Sequence, residues 1–475
     1  MKLCDILKKE FSPELANTEI KGVTCDSRTV RENYAFVCID GLNTDGHKFA
    51  LSAEENGASV IIAEHDTGAV NQIIVDDTRA VYAEMCAAYF EEPAKQLHII
   101  GVTGTNGKTS TTYMLKEILE SSGHKVGLIG TIQNMVGDQV LPAKNTTPDA
   151  FELHSLLQLM LRSGCDYVVM EVSSHAIEQK RVWGLEFDVG VFTNLTQDHL
   201  DYHKTFENYK ACKKKMFASC ASAVYNMDDE NWEEMAEGFE GNKITFSIKS
   251  NFSTYTAKNL RYSGDGVAFE FVGDGVIGRV RMAVPGDFSA QNAMAAGCAA
   301  LAVGIPFNDV MESLCNVHGV KGRAEVVPTG RDFSVIIDYA HTPDGLRNIL
   351  TTFRKVEGAR IVTVFGCGGD RDRSKRPIMG EIAARYSDAC IVTSDNPRNE
   401  QPMAIIEDIV AGMKGARTPY VIIEDRIAAI EYAIKNARPR DIILLAGKGH
   451  ETYQITATGT IHLDEREVVK SVLEG

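Results

Sequence analysis

The stretch Gly101-Val-Thr-Gly104-Thr-Asn-Gly107-Lys108-Thr109-Ser110 constrains this chain more than any other. It follows an apolar run, Leu97 to Val102, that reads as a strand. It precedes Ser110 to Leu119, in which Met114, Leu115, Ile118 and Leu119 share one helical face. Strand, glycine turn, Lys-Thr and helix in that order is the layout of a phosphate-binding loop. The glycines let the backbone curl so that several N–H groups point at phosphate oxygens. The helix N-terminus adds partial positive charge, Lys108 neutralises terminal phosphates, and Thr109 is a magnesium ligand by type. The strict pattern has a glycine where Val102 stands, so the fit is to a variant with Gly104 inside the loop. The plainer alternative, a strand-to-helix turn with a chance Gly-Lys-Thr, leaves the correct flanking elements unexplained.

A chain of 475 residues exceeds what one core supports, so several domains are expected. The net charge of −16 argues against a nucleic-acid partner. Any polyanionic ligand must then be held by local cations and backbone donors. The 11 cysteines include no Cys-x-x-Cys pair, which leaves a zinc site or redox dithiol unsupported and fits a reducing cytoplasm. The segment Met1 to Glu10 is too charged for a signal peptide. No apolar run approaches the roughly 20 residues that span a bilayer.

Three blocks emerge, with breaks near the polar segment Glu91 to Gln96 and near residue 327. The first, 1–96, holds short strands such as Tyr34 to Ile39 and Ser59 to Ala63. The second, 97–326, starts at the phosphate-loop strand and continues with strands at Asp166 to Glu171 and Phe187 to Phe192. Helical segments alternate with them, which predicts a largely parallel sheet. Polar alternating segments between about 240 and 285 predict a peripheral β insertion. The third block, 327–475, has strand-like runs at Phe333 to Ile337, Arg360 to Phe365, Ala389 to Thr393, Tyr420 to Ile423 and Asp441 to Leu445. Helical patterns between them predict a doubly wound, Rossmann-like α/β domain.

Chemistry-bearing residues cluster where strands end. Glu171 closes a strand and is followed by Ser173-Ser174-His175. A carboxylate there suits nucleotide-bound magnesium, or is simply a satisfied strand-end group. The next strand runs into Asp198, His199, Asp201 and His203, a cluster that suggests a metal or phosphate site. A helix is predicted over Thr205 to Ser219, with Phe206, Tyr209, Met216 and Phe217 in one stripe. Lys213 falls inside that stripe and Lys215 points away. A lysine facing the core must pair, snorkel or lose its charge, and a neutral amine can add carbon dioxide to become a carbamate. Pattern alone favours snorkelling.

In the third block, Gly366-Cys-Gly368-Gly369-Asp370-Arg371-Asp-Arg373-Ser-Lys375-Arg376 is a glycine turn loaded with cations, suited to a carboxylate or phosphate. Arg371 stands at the third glycine of the dinucleotide fingerprint and breaks it. Two further loops, Ser394 to Arg398 and Gly447 to Glu451, also follow strands and could line the same crevice. Taken singly, an Asx-Pro turn and a flexible glycine loop explain these two as well.

Together, Gly104-Thr-Asn-Gly-Lys-Thr109, Glu171-Val-Ser-Ser-His175, Asn194-Leu-Thr-Gln-Asp-His199 and Asp338-Tyr-Ala-His-Thr-Pro343 resemble the Mur ligases. These are ATP-dependent amino-acid ligases of peptidoglycan precursor synthesis. The resemblance covers essentially the whole chain and implies three α/β domains, the central one a phosphate-loop ATPase. Asp395-Asn-Pro-Arg398 and Gly447-Lys-Gly-His-Glu451 look like the branch that adds meso-diaminopimelate to UDP-N-acetylmuramoyl-L-alanyl-D-glutamate, rather than L-lysine.

The resemblance carries roles onto individual positions. It implies ATP contacts at Gly104, Thr105, Asn106, Gly107, Lys108, Thr109 and Ser110, and at Asn292, Arg323, Asp338 and His341, a pocket completed by domain closure. It implies acceptor contacts at Ser27, Leu42, Asn43 and Thr44, where the side chains depart from the common pattern, and at Asn145, Thr146, Thr147, Ser173, Gln179 and Arg181. Lys213 matches the family's carbamylated lysine, which overturns the snorkelling preference. With Thr109, Glu171 and His199 it would hold magnesium. Arg371, Asp395, Asn396, Pro397, Arg398, Gly447 and Glu451 match the diaminopimelate site. A cytoplasmic monomer with an acyl-phosphate intermediate is implied. The rival readings are the same ligase using L-lysine and a phosphate-loop NTPase switch without ligase activity. A dehydrogenase reading rests only on the third block's wound sheet.

Overall fold

The computed structural model describes residues 1–7, 12–41, 44–263, 266–317 and 319–474. It is α/β throughout and consists of two compact units, residues 1–246 with 295–309 and residues 247–294 with 310–475.

The first unit contains two sheets. The smaller is parallel and in chain order: β1 (Gly22–Thr24), β2 (Tyr34–Val37), β3 (Ala58–Ala63) and β4 (Gln72–Ile74). A helix over Thr78–Tyr89 covers it, started by the Asp77 carboxylate, which accepts from Ala80 N at 2.9 Å. Val81, Tyr82 and Met85 of that helix share a core with Val23, Ala35, Val60 and Ile62. In the larger sheet the strands are β5 (His98–Thr103), β6 (Val126–Ile129), β7 (Asn134–Val136), β8 (Gln139–Leu141), β9 (Tyr167–Glu171), β10 (Phe187–Phe192), β11 (Cys220–Asn226) and β12 (Asn242–Ser247). Their spatial order is β12-β11-β10-β5-β9-β6-β7-β8. Pairing is parallel from β12 to β6, and β7 and β8 add antiparallel edges.

Parallel strands covered on both faces read as continuous apolar runs, and β9 and β10 do. The predicted strand Phe187 to Phe192 matches β10 end to end. Because β5 lies between β9 and β10, the loops after these three strands leave one edge of the sheet side by side. The helix predicted over Thr205 to Ser219 is instead an α-helix over Phe206–Lys214 followed by a 3₁₀ segment over Lys215–Ser219. Its stripe is as expected: Tyr209, Lys213, Met216 and Phe217 are buried and Lys215 is exposed.

The second unit carries an antiparallel meander, β13 (Tyr255–Ser263), β14 (Gly266–Gly273) and β15 (Val276–Met282), where the peripheral β insertion was predicted. Its main sheet has β16 (Glu325–Val327), β17 (Ser334–Asp338), β18 (Arg360–Phe365), β19 (Ala389–Val392), β20 (Tyr420–Ile422) and β21 (Asp441–Ala446), in the order β16-β17-β21-β18-β19-β20. All pairs are parallel except the edge strand β16. Helices Pro343–Phe353, Lys375–Tyr386 and Pro402–Ala411 bury Leu350, Phe353, Met379 and Ile406 against one face. Arg426–Lys435 and Glu465–Glu474 bury Ile430, Ile434 and Val469 against the other, giving the doubly wound arrangement. A final hairpin, β22 (Tyr453–Thr456) and β23 (Gly459–His462), follows.

Candidate active site

The phosphate loop is pinned by the loop beside it. Gly104 has φ +148° and Gly107, the residue before helix Lys108–Ser121, has φ +87°. Side chains avoid both conformations. A Cβ on Gly104 would also overlap Thr193 Oγ1 and come to 2.9 Å from Asn194 O. Asn194 O accepts from Thr105 N at 2.8 Å, and its side chain accepts from Asn106 N at 2.9 Å and donates to Asn106 O at 3.0 Å. Thr193 Oγ1 donates to Asn106 O at 2.6 Å, and Thr105 Oγ1 pairs with the backbone of Thr196. Lys108 Nζ reaches back across the loop to Gly104 O at 2.9 Å and Thr105 O at 2.8 Å. Thr109 and Ser110 occupy the first helical turn, Thr109 buried and Ser110 partly so. The loop thus presents helix-terminal N–H groups with a cation lying over it.

At the end of β9 the Glu171 carboxylate is buried and accepts from Thr131 N at 2.9 Å and Thr131 Oγ1 at 3.0 Å. Thr131 Oγ1 also pairs with Thr146 Oγ1 at 3.0 Å. Thr147 Oγ1 donates to Glu171 O at 2.8 Å and accepts from Ser173 N at 3.1 Å. Ser173 caps the short helix Ser174–Glu178. Arg181 donates to Thr147 O at 2.8 Å and to Gln179 Oε1 at 2.7 Å. The structure therefore gathers the predicted residues Glu171, Thr146, Thr147, Ser173, Gln179 and Arg181 into one network, whereas Asn145 is exposed.

Lys213 is 1 % exposed. Its Nζ donates to Gly104 O at 2.8 Å and lies 4.8 Å from the centre of the Tyr209 ring. Burial drives its amine well below the ordinary lysine range, and the charge of Lys108 pushes the same way. No snorkelling path to water is used. Tyr209 OH lies 3.1 Å from Thr105 Oγ1. The exposed His199, with φ +53°, sets its ring 6.2 Å from Tyr209 and 4.8 Å from His175. Lys213, Tyr209 and His199 thus border the phosphate loop from the β10 side.

In the smaller sheet, Ser27 opens a 3₁₀ turn and is partly buried, and Thr44 is exposed with its carbonyl accepting from Gly41 N at 3.0 Å. Leu42 and Asn43 lie outside the described residues.

In the second unit, Asn292 is buried in helix Asp287–Ala302. Arg323 stacks its guanidinium 4.9 Å from the Tyr339 ring, while His341 bonds Tyr339 O at 2.7 Å. Asp338 accepts from Ala324 N at 2.7 Å; burial raises its carboxyl above the usual range against the pull of Arg323. Three loops leave the ends of β18, β19 and β21. Asp395 and Asn396 are buried, and a Cβ on Gly447, at φ +117°, would collide with the Asp395 carboxylate. Glu451 Oε2 accepts from Asn396 Nδ2 at 2.8 Å and Lys448 Nζ at 3.0 Å. Arg398, at φ +52°, donates through Nη1 to Gly369 O at 2.8 Å, following the buried Pro397. Arg371 is exposed, and its Cγ and Arg398 Nη1 both lie within 4 Å of where a Cβ on Gly368 would sit.

One sequence reading changes. The cations of the Gly366 to Arg376 turn do not all face a ligand: Arg373 and the fully buried Arg376 both bond Glu400, Arg376 also bonds Asp408, and Lys375 donates to His341 O at 3.0 Å. Arg371 and Arg398 remain for an anionic ligand. Residues that the sequence did not single out for these roles are Thr131 on Glu171, Thr193 on the phosphate loop, Lys448 on Glu451, and Glu400. Lys448 and Glu451 are three residues apart, but the other bonds join positions 24 to 87 residues apart, and composition or spacing carries no trace of them. Among the described residues no group of three or more His, Cys, Asp or Glu is gathered around a metal position.

Three family models match the chain: Mur ligase family, catalytic domain, over residues 19–94; Mur ligase middle domain over 102–300; and Mur ligase, glutamate ligase domain, over 322–449. A curated relative from Caldanaerobacter subterraneus subsp. tengcongensis, named UDP-N-acetylmuramoyl-L-alanyl-D-glutamate–2,6-diaminopimelate ligase, is 48% identical over 100% of this chain and 99% of its own length. A solved structure of a protein with the same name has TM-score 0.77 and 32% identity, covering 100% of this chain and 99% of that one. The fold is shared with a MurF ligase from Thermotoga maritima solved in complex with ADP, at TM-score 0.63 and 19% identity over 96% of this chain and 97% of that one.

Proposed function

The chain belongs to the Mur ligase family, and on that premise we propose that it joins meso-2,6-diaminopimelate to UDP-N-acetylmuramoyl-L-alanyl-D-glutamate, using ATP, in peptidoglycan precursor synthesis. The observation that carries this reading is the 48% identity that runs the full length of the chain to a ligase of that name. The loops after β18, β19 and β21 support it, because an NTPase switch has no use for a second anion site there.

A carboxylate is a poor acyl donor, so its oxygen first attacks the γ-phosphate of ATP, breaking the bond to the β,γ-bridging oxygen and releasing ADP. The N–H groups that open helix Lys108–Ser121 and the Lys108 ammonium face the charge that develops on the transferring phosphoryl group. The acyl phosphate is then attacked by the amine, and phosphate leaves through a tetrahedral intermediate. Thr146, Thr147, Ser173, Gln179 and Arg181 orient the acceptor next to Glu171, and Ser27 and Thr44 contact its uridine end. Asn292, Arg323, Asp338 and His341 complete the nucleotide contacts.

Thr109 and Glu171 would offer the hard oxygens that magnesium takes. A carbamate on the buried amine of Lys213, whose protonated form burial disfavours, would add a further oxygen ligand, with His199 beside it. Bound there, magnesium supplies charge neutralisation for the phosphoryl oxygens. Arg398 spends Nη1 on Gly369 O, which leaves its Nε–Nη2 edge for the distal carboxylate of diaminopimelate, with Arg371 assisting. Glu451 takes the distal ammonium, with Asp395 and Asn396 lining the same site, and Gly447 supplies a close backbone contact.

Domain limits of 1–96, 97–326 and 327–475 are part of the proposal; the matched spans are 19–94, 102–300 and 322–449. No helix among the described residues is long and apolar enough to cross a membrane. A cytoplasmic location and a monomeric state belong to the same proposal. The test is phosphate release measured with ATP and acceptor, with and without each amine. Release that needs acceptor and diaminopimelate together, and is weak with L-lysine, is the expected result. Release without an amine would favour the NTPase switch, and preference for lysine would reassign the substrate.

A further inference from the structure

The site's two anion-facing arginines sit on different loops, and what sets their spacing lies behind them. Arg371 follows the glycine turn after β18, and Arg398 follows the turn after β19. The turns are zipped together. Gly369 N donates to Asn396 O at 2.9 Å, Arg398 Nη1 returns to Gly369 O at 2.8 Å, and Asp370 Oδ2 accepts from Asn399 Nδ2 at 2.8 Å. A Cβ on Gly369 would overlap Pro397 O, so the two backbones are in direct contact.

One carboxylate closes the zip. Glu400 Oε1 accepts from Asp370 N at 2.6 Å and from Arg376 Nη2 at 2.8 Å. Its Oε2 accepts from Arg373 Nη2 at 2.8 Å and Arg376 Nη1 at 3.1 Å. Glu400 therefore belongs to the second loop, two residues beyond Arg398, yet every one of these partners comes from the first loop or the helix it starts. Arg376 is fully buried, and its Nη2 also leans on Gly368 O at 3.4 Å. Asp408 bonds the same Arg376, at 2.9 Å, and among the described residues no other side-chain bond ties it to either loop.

We propose that Glu400, acting with Arg376, is a positioning residue for amine selection: it fixes the separation of Arg371 and Arg398 and so matches them to a distal carboxylate. The inference rests on the proposed diaminopimelate site and concerns residues outside it. A bidentate grip fails when the donor edge shifts by about 1 Å, because both charge-assisted hydrogen bonds lengthen together. A ligand without a distal carboxylate does not use that grip and is insensitive to the shift. Glu400 is itself held ionised, with its carboxyl down to about 2 through the bonds from Arg376 and from Asp370 N, so the lock persists across the working pH range.

The test compares Glu400→Gln, Glu400→Ala and Asp408→Asn with the unmodified enzyme, using both amines at saturating ATP and acceptor. Glu400→Gln should raise KM for diaminopimelate by about tenfold or more, the equivalent of one charge-assisted hydrogen bond, with kcat nearly kept. KM for ATP and for the acceptor should stay as they were. The preference for diaminopimelate over lysine should shrink by the factor seen in KM. Asp408→Asn weakens the same buried arginine without releasing the loops, so its KM for diaminopimelate should not move. Glu400→Ala strands a buried guanidinium, and its fold is checked by melting and by acceptor binding. If it fails that check, Glu400→Gln decides. An unchanged preference in Glu400→Gln, or an equal KM shift in Asp408→Asn, would overturn the inference. If the unmodified enzyme shows no preference for diaminopimelate, the substrate reading fails instead, which the first measurement reveals.

Discussion

Replacing Lys213 by methionine should make the protein more stable and nearly inactive. The amine is buried with one hydrogen bond, to Gly104 O. That carbonyl keeps a second donor, Lys108 Nζ at 2.9 Å, so the substitution orphans no acceptor. Methionine fills most of the same volume among Tyr209, Met216 and Phe217 without the desolvation cost of an amine. A gain of about 0.5–2 kcal/mol is expected, of the size seen when a functional site gives up its strain. The pH dependence has a definite sign. The folded-state amine lies below its unfolded value, so the unfolded chain binds the extra proton and wild-type stability rises with pH through that window. The advantage of Lys213→Met should therefore be larger near about pH 6 than near about pH 9. Turnover should fall by about 10²–10³-fold or more, since a metal-holding carbamate beside the phosphate loop is lost. Melting curves at the two pH values and phosphate-release rates measure both effects. Labelled bicarbonate should give a carbamate carbon signal in the wild type alone, and formate or acetate should partly restore Lys213→Ala. Turnover within a few-fold of wild type would refute the reasoning. So would a lower melting temperature, which would make the lysine a structural donor.

Lys108→Ala should cost about 10³-fold or more in turnover while calorimetric affinity for the UDP-linked acceptor survives; affinity falling in step with turnover would merge two sites held here to be separate. Arg398→Ala should weaken diaminopimelate use by about 10- to 150-fold and lysine use little, from the loss of hydrogen bonds worth roughly 1.5–3 kcal/mol. A parallel loss with both amines would make Arg398 a structural residue. Asn194→Ala removes both side-chain bonds to Asn106, at 2.9 and 3.0 Å, and should raise KM for ATP by about tenfold with acceptor affinity unchanged. An unaltered KM would show that the loop holds its shape without this brace.

Much of the fold was legible because buried parallel strands announce themselves as apolar runs. Phe187 to Phe192 and Arg360 to Phe365 match their strands end to end. The segment 205–219 was legible as one helix only in its buried stripe. The tightening into a 3₁₀ turn at Lys215 leaves that stripe intact, so periodicity does not register it. Lys213 was misread from pattern alone because snorkelling depends on where the helix ends, and here the side chain points at Gly104 O. The cations of the Gly366 to Arg376 turn looked alike in sequence. What separates Arg371 from Arg373 and Arg376 is Glu400, 24 residues beyond Arg376 and visible only once β18 and β19 lie side by side. Asn194 was singled out by resemblance, but its grip on Asn106 spans 88 residues and belongs to tertiary structure.

The central place of β5 has a consequence for how this protein breathes. Its amides are bonded between β9 and β10, while β7 and β8 close the sheet at its margin. Deuterium should therefore enter the marginal strands early through local fraying and reach Ile100 to Thr103 last, only on global opening. The segment that carries the phosphate loop is then among the slowest in the molecule to exchange, and a compound that stabilises it further will be seen in exchange as a change in global unfolding, not in local mobility.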